Sequence, residues 1–104
     1  MLLAGFLDWH GAEVFAAKNA IEGLRLVREI WPDVVLSDIN MPGRSGIELL
    51  ADIRALDRND GGSVPVIAMT AYMLDQSLVA AGFQRILRKP FEPDQLLAAI
   101  DSVL

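Results

Sequence analysis

The chain has no cysteine and a single histidine among its 104 residues. Without thiols there is neither a disulfide framework nor a thiolate metal site, and a reducing compartment is compatible with the sequence. One imidazole excludes a multi-histidine metal centre. His10 lies in Trp9-His10-Gly11, before an expected turn, where a solvated histidine at a helix end is the expected reading. Basic residues are also few, nine Lys and Arg against fourteen Asp and Glu, for a net charge of −5. They are scattered, which argues against a direct nucleic-acid surface, because backbone binding needs clustered cations. No apolar run reaches the ~18 residues of a membrane span, and the first residues lack the positive segment and cleavage site of a secretory signal. The expectation is a soluble, cytoplasmic protein with no membrane partner. With 53% hydrophobic residues the length suits one core and is too short for two. There is no internal repeat, low-complexity tract or linker, so residues 1–104 are expected to form a single domain.

Against these absences stands one conspicuous stretch, Val34-Val35-Leu36-Ser37-Asp38 followed by Ile39-Asn40-Met41-Pro42-Gly43-Arg44-Ser45-Gly46. Three large apolar residues in a row predict a strand buried on both faces, running into a carboxylate and then a Pro/Gly-rich turn. In open parallel sheets, ligands gather beyond the carboxyl ends of the strands, so Asp38 is placed for chemistry. An isolated strand-end Asp more often merely caps the next turn.

Around that stretch the chain alternates. Leu2, Leu3, Phe6, Leu7 and Trp9 have helical spacing, predicting a helix over 2–9 that stops at Gly11. A short strand is expected at 12–17. Asn19 with Glu22 reads as a helix cap, and Ala20, Leu24, Val27 and Trp31 as the apolar face of a helix ended by Pro32. Ser45 with Glu48 forms a second capping box, before a helix carrying Leu49, Ile53 and Leu56. Residues 57–63 read as a mobile polar loop, 64–69 as a second buried strand ending at Thr70-Ala71, and 72–81 as a short helix stopped by Gly82. Residues 83–87 give a brief strand before Arg88-Lys89-Pro90. The last helix has Pro93 in its first turn and Leu96, Leu97, Ile100 and Val103 on one side. Such alternation predicts an α/β fold, a doubly wound parallel sheet with helices on both faces.

Asp38, Thr70 and Lys89 each follow an apolar strand. If these strands are parallel neighbours, a carboxylate, a hydroxyl and an ammonium converge on one crevice, a set suited to binding or accepting a phosphoryl group. Any one of them alone has a bland reading as a strand-end or solvated residue.

The set Asp38-x-x-Met41-Pro42-x-x-x-Gly46, Met69-Thr70-Ala71 and Lys89-Pro90-Phe91 resembles the receiver domain of two-component response regulators, over essentially the whole chain. The resemblance implies a flavodoxin-like fold with strand order 2-1-3-4-5. It implies that Asp38 is the phosphoacceptor, taking a phosphoryl group from a histidine of a sensor kinase or phosphotransfer protein. Lys89 would neutralise charge in that transfer, and Thr70 would bond the new phosphate and draw its loop along beside the small Ala71. Asp38 and the Asn40 backbone carbonyl would be ligands of a Mg²⁺ cofactor. The Lys89–Pro90 bond resembles the family's cis peptide, and the output would be a conformational change read by a downstream protein, without turnover of a substrate.

Three departures qualify this. Family members begin with a strand ending in two acids that complete the metal site. Here the chain reads as starting inside the first helix, N-terminally truncated, with that strand and its acids missing and Asp8 unable to substitute. In the family's order the missing strand is central, between 12–17 and 33–38, and its loss would leave ladder groups unpaired at a few kcal/mol each. A longer natural chain, direct pairing of the flanking strands, or a homodimer completing the sheet would each close the gap. Secondly, Ile86 stands where the family usually has a switch aromatic. Thirdly, the interval from Thr70 to Gly82 is short. The alternatives to a stand-alone phosphoaccepting receiver are therefore a degenerate receiver-like interaction or assembly module that works without phosphorylation, and a small Mg²⁺-dependent phosphatase using Asp38 as nucleophile.

Overall fold

The computed structural model describes residues 2–5, 14–17, 19–40, 43–71 and 76–104. Its elements run β1 (Leu2–Gly5), β2 (Val14–Ala17), α1 (Ala20–Ile30), β3 (Val35–Asp38), α2 (Gly46–Arg54), a 3-10 turn (Arg58–Asp60), β4 (Val66–Thr70), α3 (Gln76–Ala81), β5 (Arg85–Arg88) and α4 (Pro93–Val103). The five strands form one sheet in the order β2-β1-β3-β4-β5. β3, β4 and β5 are parallel, with Asp38 opposite Met69 and Thr70 opposite Arg88, so the three strands end nearly level.

The amino-terminal segment departs from expectation. Leu2–Gly5 is a strand, not the start of a helix, and the rest of the predicted 2–9 helix, with Asp8 and His10, lies outside the described residues. β1 fills the central position that the sequence left empty, antiparallel to both β2 and β3, with Leu2 opposite Ala17 on one side and Ser37 on the other. The gap is thus closed from within the chain, and the flanking strands do not pair with each other. The physical reason is ladder satisfaction: a buried strand edge on each side offers unpaired N–H and C=O groups, and four apolar residues that take up both edges gain more than an amphipathic helix turn does.

Strand alternation then sorts the core into two layers. Val35, Val66, Ala68 and the half-buried Ile86 face α1, α2 and α3, against Ala20, Val27, Leu49, Leu50, Ile53 and Leu78. Val34, Leu36, Ile67, Met69 and the half-buried Leu87 face α4, against Leu96, Ala99 and Ile100. Each fully buried aliphatic side chain here is worth roughly 1.5–3 kcal/mol. The caps are as read from sequence: Asn19 Oδ1 accepts from the Glu22 amide at 2.9 Å, and Ser45 and Glu48 form a reciprocal box. Trp31 is an exception. α1 ends at Ile30, and Trp31 caps it in the left-handed region with φ 55°, its side chain exposed rather than on the buried face. β4 and β5 lie a residue or two later than predicted, and α3 has six residues.

The 57–63 connection is not the loose loop its composition suggested. Asp57 O accepts from the Asp60 and Gly62 amides at 2.8 and 3.0 Å, and Arg54 clamps it from α2. Arg54 Nη1 donates to the Gly62 and Val64 carbonyls at 3.0 and 2.8 Å. Its Nη2 donates to Gln84 Oε1 at 3.3 Å, and the same oxygen accepts from the Val66 amide at 2.9 Å. Partial burial pushes the Arg54 guanidinium below its usual pKa.

Candidate functional site

Asp38 is the last residue of β3 and continues the alternation of Val34 and Leu36, so its side chain emerges where the α4-side layer ends. Two bonds hold the backbone of the residue after it. The Ile39 amide donates to Met69 O at 3.1 Å, tying the strand end to β4, and the Gly46 amide donates to Ile39 O at 2.8 Å, folding the following loop back under it. The buried Ser37 hydroxyl donates to the Asp38 carbonyl at 3.0 Å. Gly46 is required sterically, because a Cβ there would lie 2.3 Å from the Asp38 carbonyl oxygen. The first residue of α2 therefore approaches the site's backbone as closely as atoms allow.

Thr70 ends β4 and is buried, and its carbonyl accepts from the Lys89 amide at 2.7 Å, joining β4 and β5 at the same end. Lys89 follows β5 directly, and its ammonium donates to Asp38 Oδ1. The Lys89–Pro90 peptide is cis. The Asp38 side chain is 13% exposed and that of Lys89 43%, so the lysine is the more open partner of the pair. Ala71, exposed beside the site, lines with Lys89, Pro90 and Phe91 an open depression of about 510 Å³. Ile86 is half-buried and packs against the helix-rich layer.

The structure thus brings Asp38, Thr70, Lys89, Ala71 and Pro90 to one end of the sheet, with Asn40 exposed in the loop just beyond Asp38. Ile86 belongs to the core. Sequence reasoning missed how the β3–α2 loop is held: the Arg44 fork donates to Asp52 from Nε and Nη2 at 2.9 and 3.0 Å and pairs with Glu48 at 3.2 Å. An Arg followed at four and eight residues by acids on a helix was the signal available for it.

The donor set for a divalent cation is thin. Mg²⁺ wants near-octahedral oxygen ligation, whereas among the described residues no group of three or more Asp, Glu or His side chains converges. Beside β3, β1 places Leu2, Leu3 and Ala4. Asp38 and the Asn40 carbonyl do not make a dedicated cation cage.

Comparison with known proteins adds the context. Residues 1–101 match the response regulator receiver domain. The chain is 37% identical over 102 residues to an uncharacterized 14.6 kDa protein of Leptolyngbya boryana, covering 95% of this chain and 76% of that one. It is 32% identical over 108 residues to sporulation initiation phosphotransferase F of Bacillus subtilis, covering 100% and 83%. Other relatives are longer, and the chain spans 36% of a response regulatory protein of Staphylococcus epidermidis at 35% identity. Among solved structures, the chemotaxis protein CheY4 of Vibrio cholerae superposes with a TM-score of 0.83 at 29% identity, covering 93% of this chain and 82% of that one. The receiver domain of a Pseudomonas aeruginosa sensor histidine kinase, described with magnesium coordinated in its active-site cleft, gives 0.73 at 28% identity, covering 84% and 72%. With a level row of strand ends carrying Asp38, Thr70 and Lys89, and matches of this extent, the chain belongs to the response regulator receiver family of two-component phosphorelay signalling.

Proposed function

We propose that Asp38 accepts a phosphoryl group from a phosphohistidine of a sensor kinase or phosphotransfer protein, and that the phosphorylated state is read by a downstream protein partner. The observation that carries this reading is the Lys89 ammonium bonded to the Asp38 carboxylate at the common end of three parallel strands. A carboxylate oxygen of Asp38 attacks phosphorus, the bond from phosphorus to the imidazole nitrogen breaks, and the imidazole leaves with that electron pair. Such transfers pass through a loose transition state, so the protein's part is positioning and charge neutralisation. Lys89 supplies the positive charge, and its flexible stem lets the ammonium follow the charge from the carboxylate to a phosphoryl oxygen. Thr70 offers a hydroxyl for another phosphoryl oxygen, and its backbone bond to Lys89 couples the two responses. No substrate turnover is needed. No helix among the described residues is long and apolar enough to cross a membrane.

Acetyl phosphate tests the proposal. It should place a hydroxylamine-labile phosphoryl group on the wild-type chain, located at Asp38 by peptide mass spectrometry, and none on Asp38→Ala. Label elsewhere, or equal label on the variant, removes Asp38 from the role.

A further inference from the structure

We propose that the unphosphorylated Asp38 carboxylate is balanced by the chain's own Lys89 ammonium and does not anchor a divalent cation. The direction of β1 is the first ground. A central strand parallel to β3 would deliver the residues after its carboxyl end to the Asp38 crevice. β1 runs the other way, with Leu2 beside Ser37 and Ala4 beside Val35, so its carboxyl end lies toward the amino end of β3. Gly5 pairs with Val14 at that end.

The second ground is the donor count. Asp38 contributes one carboxylate and Asn40 one carbonyl, and the described residues hold no acidic cluster to add to them. A Mg²⁺ ion there would keep most of its water shell, gaining little from the protein. The third is occupancy. The ammonium already bonds Oδ1 of a largely covered side chain, and the lysine is the more exposed of the two, so a cation arriving at that oxygen meets a like charge at short range. The inference concerns the resting carboxylate and stands on geometry alone, so it can fail while the acceptor role of Asp38 holds, and the reverse.

The test is titration of the whole chain with Mg²⁺ by calorimetry and with Mn²⁺ followed in ¹H–¹⁵N spectra. We expect no saturable heat at millimolar Mg²⁺ and no selective paramagnetic broadening of the Ile39, Asn40 and Thr70 amides. Saturable binding with broadening centred on those amides, lost in an Asp38→Asn chain whose far-UV circular dichroism matches wild type, would overturn it. Broadening centred elsewhere and unchanged by Asp38→Asn supports it, since the cation is then not on Asp38.

Discussion

The two ends of the sheet use similar groups in opposite ways. At the amino ends of β4 and β5, Arg54 and Gln84 spend their donors and acceptors inside the protein, closing the Gly62 and Val64 carbonyls and the Val66 amide. At the carboxyl ends, Asp38 and Lys89 meet each other at the rim and remain within reach of a ligand. Both ends are braced by a glycine packed on a carbonyl: Gly46 on Asp38, and Gly62 on Leu56, where a Cβ would lie 2.1 Å from the oxygen. A cation satisfied by main-chain carbonyls is structural, whereas a cation satisfied by one carboxylate is exchangeable. That difference decides which end does chemistry.

Breaking the comparison at its most asymmetric point gives the largest effect. Asp38→Asn should abolish acetyl-phosphate labelling while urea denaturation shifts by under about 1 kcal/mol, since the lysine of the ion pair is well exposed and the amide keeps an oxygen to accept from it. A large stability loss would mean that the site end is structural too. Next, Gly46→Ala and Gly62→Ala should each cost about 1–3 kcal/mol by overpacking against backbone. Only Gly46→Ala should also slow labelling, because it displaces the Asp38 carbonyl; equal slowing by both would erase the distinction between the ends.

Arg54→Met should cost roughly 1.5–3 kcal/mol, the scale of hydrogen bonds to a charged donor, with labelling at the wild-type rate. Smallest of all, Trp31→Gly should stabilise by about 1 kcal/mol, seen as a raised denaturation midpoint, because it relieves a left-handed backbone at φ 55° while giving up a side chain that is 63% exposed. A net loss would show that the indole packs more than its exposure implies.

The site was legible because each of its members follows an apolar run. Strand periodicity gave β3, β4 and β5, and their polar terminators Asp38, Thr70 and Lys89 needed only parallel neighbours to converge. Caps were legible as well, since Asn19 and the Ser45 box act within three residues of themselves. Trp31 misled because its spacing from Val27 continues the apolar face, while Pro32 directly after it takes the chain out of the helix at that residue. Arg54 carried no local signal, its partners being 8 to 30 residues away.

By itself the sequence determined the alternation of strands and helices, the two-layer burial of β3 and β4 and the identity of the groups at the crevice, because these follow from side-chain type and near-neighbour spacing. Tertiary structure alone decided what Leu2–Gly5 became. Their apolar pattern serves helix and strand equally, and the choice fell to backbone groups of β2 and β3, distant in sequence, that had no other partner. The same pairing fixed the reversed direction of β1, and with it which end of β1 lies beside the end of β3.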